Sequence, residues 1–541
     1  MPPLRFQWVD RGLVGAIVVA ALVVLPRSYD ISLSHNENID ADYHLSRGAL
    51  FLERRLAGIS LNDPPTGEGI GAMPLAVTGT LEGRWDRSAI YGKALPPETI
   101  VTLVALWKAV LFLPMVGVVF AWCRRLYGAA SGALAVGLLL SEPTFAAHIP
   151  SAALDVLGAE GIVLACFLIW RYLEAPTYAK LAFAAAATAF AMTLKHTAVI
   201  LPGVSAILAI SWRLGRPKTP RLRWALPLAA GVWFLALWAF TLFDLSKVDP
   251  GPSAARAAPG REEPSGRTWR SSAAKALMGY RWPAGVYARS FLTGLEHDRE
   301  GHEAYLLGET RRTGWWFYFP VVATYKVPLG VALVVLLGMG SGLVRPPRFE
   351  EWSLAVPLLS WVALLGASRI DIGFRHFLPA HAFLLMLASR CAALKGRWWR
   401  LASWGGLLAA AVHASSFHPD YLSYVNFPRS STYLDISDSN VDWGESLKQT
   451  RLWLEAHPTG DRPVYLRYFW RNPHGVAHYL GGKVVNLSDD DPPPAGGVLI
   501  LSPVWLAGTY DPKDRYRYLR ARTPDAVIGR CMLVYDLDAL R

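Results

Sequence analysis

The sequence predicts a polytopic α-helical membrane protein with a small soluble α/β domain at its C-terminal end. Three observations carry that prediction. The 541 residues are 52% hydrophobic, with a mean hydropathy of +0.25. Only 18% are charged and 22 are Trp, too apolar and aromatic a mixture for an ordinary soluble enzyme. The apolar residues also gather into eleven runs, at roughly 12–27, 100–122, 129–147, 152–172, 179–194, 196–212, 224–243, 319–343, 352–367, 374–392 and 398–416. Most approach the ~20 residues that a bilayer crossing needs.

The short links between runs, "CRRLYG", "WRYLEAPTYAK", "WRLGRPKTPRLR", "VRPPRFEEW" and "LKGRWWR", all carry Lys or Arg. With eleven spans they all fall on one side, which the positive-inside rule makes cytoplasmic. The N-terminus is then inside and the C-terminus outside. "VLPRSYD", after the first run, has no small-residue cleavage pattern, so that run is expected to stay as a span and not leave as a signal peptide. Much of the net charge of +12 sits in these links. It reads as a determinant of topology and argues against nucleic-acid binding.

Two parts follow: a transmembrane domain over 1–416, with long outer segments at 28–99 and 244–318, and a soluble extracytoplasmic domain over 417–541. Of Cys123, Cys166, Cys391 and Cys531, only the last lies clearly outside, so no intrachain disulfide is expected. No CxxC or clustered-His metal pattern is present. In the first outer segment, "DADYHLSRGALFLERRL" puts Leu45, Ala49, Leu52 and Leu56 on one face of a helix that could lie along the membrane interface. The second outer segment opens with "DPGPSAARAAPGREEPSGR", expected to be flexible from its Pro, Gly and Ser content. In the last, "SNVDWGESLKQTRLWLEAHP" reads as a helix capped by Ser439 or Asp438, and "RPVYLRYF", "GVLILSPVWL" and "CMLVYDL" read as strands. No internal repeat is found.

"HNENIDADYHLSRG" (35–48) sets Glu37, Asp40 and Asp42 beside His35 and His44, just beyond the first apolar run. Carboxylates near a bilayer are costly unless they face water, a partner or a substrate. Lys195, Lys326 and Arg375, the last followed by His376, fall at the outer edges of apolar runs, against the positive-inside trend. One such cation reads as a snorkelling side chain. Three read either as a holder for an anion such as a lipid phosphate, or as partners for acids. Asp155 stands near the outer start of the fourth run, a position favoured by the helix dipole.

Taken in order, "DADYHLSRG", "NDPPTGEGIGAMPL", "HIPSAALD", "LKHTAVILP", "GHEAYLLGETRRTGWWFYFPVVATYKVP", "IDIGFRHFLP", "HPDYLSYVNF" and "DSNVDWGESLKQ" resemble the GT-C membrane glycosyltransferases over nearly the whole chain. They look most like the bacterial branch of the protein O-mannosyltransferases (glycosyltransferase family 39), which is similar in turn to the aminoarabinose transferases of lipid A. The resemblance implies a polyprenyl-phosphate-linked sugar as donor. It implies transfer, with inversion, to a protein, lipid or glycan acceptor on the outer face of the inner membrane. It sets Asp40 at the catalytic acid position, with Ala41 where Glu is usual. Asp42 either stands in for that Glu or is the functional acid if the register slips. In the acceptor-side loop with His44, Asp63 replaces the His of His-Pro-Pro, and Glu68 stands where a basic residue is expected. Asp155 matches a second-loop acid, and Lys195, Lys326, Arg375 and His376 match the donor-phosphate site. No metal or other cofactor is required if these cations neutralise the phosphate. A divalent metal held by Asp40, Asp42 and Asp155 is the less favoured route. The competing reading is a non-catalytic lipid-phosphate binder or transporter on a degenerate form of the scaffold, although the paired repeats and midplane charges of transporters are missing.

Overall fold

In a bilayer an apolar run has to satisfy its own backbone, and the α-helix does so within one segment. The computed structural model describes residues 11–55, 63–81, 88–216, 223–248, 279–427, 432–469 and 472–540. Among them, Arg11–Ser34, Pro97–Tyr127, Asp155–Glu174 and His196–Gly215 are helices long and apolar enough to cross a membrane. Ala129–Leu140, Tyr178–Leu194, Ala225–Phe240 and Leu329–Val344 are shorter apolar helices. Trp352–Ala367, Leu378–Ala388 and Arg397–Ser415 account for the remaining apolar runs. The chain is a multi-pass membrane protein.

Several expected runs prove to be broken. The run 129–147 stops at Leu140 and restarts as Pro143–His148, because Pro143 has no N–H to continue the ladder. The run 319–343 divides at Pro328 into Tyr318–Lys326 and Leu329–Val344. The run 374–392 is a 3-10 turn, Phe374–Phe377, then Leu378–Ala388, then a second 3-10 turn, Ser389–Ala393.

In the first outer segment Ala41–Leu52 is helical, and Leu45 and Ala49 are buried as their spacing predicts. His44, Ser46, Arg47, Leu50 and Phe51 are buried too, so this helix is enclosed on most sides and does not lie on the membrane interface. Its cover is a second helix, Pro65–Val77. The two approach closely because residue 48 is glycine: a Cβ there would stand 2.1 Å from the Glu68 carbonyl oxygen. Leu56 and the Pro/Gly/Ser-rich stretch 249–267 lie outside the described residues.

The C-terminal part carries a five-stranded mixed sheet. Val485–Asn486, Val464–Arg467 and Val498–Leu501 run parallel, and Met532–Asp536 and Ala526–Ile528 complete it antiparallel. Val498, Ile500 and Val534 pack on one face with Val464 and Leu466; Leu499, Leu501, Leu533 and Tyr535 pack on the other with Trp505 and Leu519. Burial on both faces explains why these strands read as unbroken apolar runs and not as alternating ones. The expected helix here begins only at Leu447 and has no side-chain cap. Asp438 and Ser439 do not cap it. They form a 3-10 turn, Asp438–Asn440, in which the Ser439 hydroxyl donates to the Ile372 carbonyl. All four cysteines are buried and free.

Candidate active site

Asp40 immediately precedes the helix Ala41–Leu52, yet its carboxylate makes no capping bond. Its backbone N–H is held by the Asn38 side chain at 3.1 Å. Its Oδ2 lies 3.7 Å from an Arg375 guanidinium nitrogen, and its side chain stays 38% exposed. The same guanidinium nitrogen is 3.5 Å from Asp155 Oδ2. Lys195 donates to the other oxygen of Asp155. Four residues from four separate segments thus form a chain of alternating charge, Asp40–Arg375–Asp155–Lys195.

Each position has a local cause. Asp155 opens the helix Asp155–Glu174, where the dipole favours an acid, and Lys195 follows the C-terminal end of Tyr178–Leu194, where it favours a cation. Glycine at 158 leaves room for the lysine stem, since a Cβ would come 2.8 Å from Lys195 Cβ and Cδ. Arg375 lies in the 3-10 turn that breaks the tenth run. Its guanidinium sits 3.9 Å from the centre of the Trp443 ring, and Trp443 also meets the His148 ring. Arg375 Nε and His376 Nε2 are buried, with no hydrogen-bond acceptor among the described residues.

Asp42 is two residues from Asp40 but faces away. Its carboxylate accepts the Ala89 N–H at 2.7 Å. Burial raises its pKa, offset in part by bonds from Ser88, Ala89 and Ile90. Asp42→Asn keeps an acceptor for Ala89. It is expected to lower stability by about 1 kcal/mol and to leave transfer within severalfold, to be read from thermal unfolding beside turnover.

Lys326 makes different contacts from the other two cations. Its Nζ donates to the carbonyls of Leu422, Tyr424 and Asn440 at 2.7, 2.8 and 2.7 Å. An ammonium has three donors, and all three are taken, so the structure does not bring Lys326 to the cluster as a phosphate ligand. It anchors the segment that follows the last span. Lys326→Met would orphan three carbonyls at about 1–3 kcal/mol each. The expected outcome is a sharp fall in the yield of folded protein, with donor affinity unchanged in whatever folds.

"DSNVDWGES" proves to hold the site together, a role that turn chemistry alone does not reveal. Asn440 accepts the Phe374 N–H at 2.9 Å and donates to Tyr318 at 2.9 Å, Ser439 holds Ile372, and Trp443 underlies Arg375. Its sequence signs are the density of small polar residues beside Trp and its place in the motif order.

The residues expected on the acceptor side, His44, Asp63 and Glu68, also meet. His44 Nδ1 is 3.2 Å from Glu68 Oε1, and Arg47 is 3.5 Å from the same oxygen. Asp63 joins them, with one ligand atom each of His44, Asp63 and Glu68 within 4.8 Å of one another. Burial lowers the His44 pKa, but the Glu68 bond and the charges of Asp63, Glu68 and Asp40 outweigh it and hold it above the usual value. This grouping escapes the sequence pattern.

A cavity is lined by Glu37, Asn38, Ala41, Ser151, Trp443 and Glu445; it shares Trp443 with Arg375, and Asp40 itself does not line it. Glu37 accepts from Tyr91 and Asn472 through one oxygen, while its other oxygen is buried without a partner. Burial pushes the Glu37 carboxyl up, and burial together with Asp442 pushes Glu445 well above the carboxylate range.

The architecture has solved counterparts. ArnT from Cupriavidus metallidurans bound to undecaprenyl phosphate matches with a TM-score of 0.52 at 15% identity, over 97% of this chain and 98% of that one. Its apo state matches with a TM-score of 0.51 at 15% identity, over the same shares of 97% and 98%. The apo Archaeoglobus fulgidus oligosaccharyltransferase reaches 0.48 at 12% identity, over 96% of this chain and 69% of that one. At such identities the likeness to ArnT is one of fold. No protein-family model and no curated protein matches the chain.

Proposed function

Starting from a chain with the GT-C fold, we propose that it is a membrane glycosyltransferase. It moves a sugar from a polyprenyl-phosphate donor to an acceptor at the outer face of the inner membrane, inverting the anomeric carbon. One observation carries this reading: Asp40, Asp155, Lys195 and Arg375 meet in one cluster with only Asp40 substantially exposed, and the Trp443 ring under Arg375 also lines a cavity. The ArnT structure holds undecaprenyl phosphate, a lipid of the class proposed here as the sugar carrier.

The two acids take different roles. Asp155 is buried and balanced by two cations, so it positions Lys195 and Arg375 and is a poor proton acceptor. Asp40 can face the acceptor as general base. The acceptor oxygen attacks the anomeric carbon and its proton passes to Asp40. The bond from that carbon to the phosphate oxygen breaks, and its electron pair leaves with polyprenyl phosphate. Lys195 and Arg375 hold the charge that develops there. Arg375 Nε and His376 Nε2 are available as further donors to phosphate oxygens. The sugar occupies the cavity, where Glu37 and Glu445 accept from its hydroxyls and Trp443 forms a wall.

Purified protein would be incubated with polyprenyl-phosphate mannose, glucose and aminoarabinose in turn, with mass spectrometry of the lipid released. Release of polyprenyl phosphate from one donor, lost in Asp40→Asn, is the expected result. Tight binding of polyprenyl phosphate without turnover of any donor would favour the non-catalytic binder.

A further inference from the structure

We propose that His44, Asp63 and Glu68 form a binding site for one divalent transition-metal ion of the Zn2+ type. The three residues come from the helix Ala41–Leu52, the turn before Pro64-Pro65 and the first turn of Pro65–Val77. Their ligand atoms already lie within 4.8 Å of one another. A tetrahedral zinc with bonds of ~2.0–2.2 Å holds its ligand atoms roughly 3.3 Å apart. His44 Nδ1 and Glu68 Oε1 stand at 3.2 Å, so Asp63, which is half-buried, is the group that has to close in.

A second observation points to a ligand. Glu68 is 1% exposed, yet its Oε2 has no hydrogen-bond partner. Leaving a carboxylate oxygen buried and unpaired is costly, and a cation at this point would satisfy it. One imidazole with two carboxylates suits zinc or manganese. Calcium takes six to eight oxygens, and soft ions prefer sulfur. The competing account is a self-contained ion pair, since Arg47 and a protonated His44 can balance the two acids.

Binding is read without any donor lipid, so it stands or falls separately from sugar transfer. Metal-stripped full-length protein in detergent would be titrated with ZnCl2, MnCl2, MgCl2 and CaCl2 by calorimetry, with thermal unfolding alongside. One equivalent of Zn2+ should bind and raise the melting temperature, and Mg2+ and Ca2+ should bind far more weakly. His44→Ala, Asp63→Asn and Glu68→Gln should each weaken Zn2+ by at least the ~10–100-fold lost when even a supporting residue of a metal site is removed. The exposed Asp461→Asn should not change it. If Glu68→Gln fails to fold, the half-buried Asp63→Asn decides. No stoichiometric Zn2+ binding, or full binding by a well-folded Asp63→Asn, would leave only the ion pair and overturn the site.

Discussion

Asp40→Asn is expected to reduce sugar transfer by ~10²–10⁴-fold, the usual contribution of a general base, while donor binding stays within severalfold. The substitution preserves shape and removes the ability to take a proton. The proposed phosphate ligands, Lys195 and Arg375, keep Asp155 as their shared partner. The variant loses only a 3.7 Å contact between Arg375 and a carboxylate that is 38% exposed, so folding should hold. Single-turnover rates and a donor-binding titration separate the two effects. A severe Asp42→Asn beside a mild Asp40→Asn would transfer the base role to Asp42, against its bond to Ala89.

Arg375 should show the second large effect, and its two substitutions should differ in kind. Arg375→Ala removes one of two counterions from Asp155. Breaking a buried ion pair costs about 3–5 kcal/mol, so both folding and donor affinity should suffer. Arg375→Lys keeps the charge but loses the planar fork and the contact over Trp443. A charge-assisted hydrogen bond contributes ~1.5–3 kcal/mol, and ~1.4 kcal/mol is a factor of ten. The expected result is roughly tenfold weaker donor binding or more, with near-normal thermal unfolding. Wild-type affinity for polyprenyl phosphate in a folded Arg375→Lys would remove Arg375 from the donor site.

Hydropathy and motif order were readable from the chain because both are local. All eleven apolar runs became helical, since a run of Leu, Val and Ala needs no distant partner to dictate a helix in lipid. The strands at 464–467, 498–501 and 532–536 were legible from their composition. The strands at 485–486 and 526–528 were too short to signal themselves. The breaks at Pro143 and Pro328 were legible too, since Pro interrupts an apolar run wherever it falls inside one.

What each charged residue does was decided by tertiary structure. Asp40 and Asp42 differ by two positions at a helix start, about 200° around the axis, and only the packing against 88–90 shows which one is occupied. Lys195, Lys326 and Arg375 look alike from their flanks. The segment 422–440 arrives about a hundred residues after Lys326 and takes its three hydrogen bonds, while Asp155 draws the other two cations together. His44, Asp63 and Glu68 match no metal spacing in the chain, because their proximity depends on two helices closing over Gly48. Hydropathy is a property of each residue in its solvent and survives reading one residue at a time. Ion pairing and hydrogen bonding are properties of pairs separated by tens to hundreds of residues, and only the folded chain decides which pairs form.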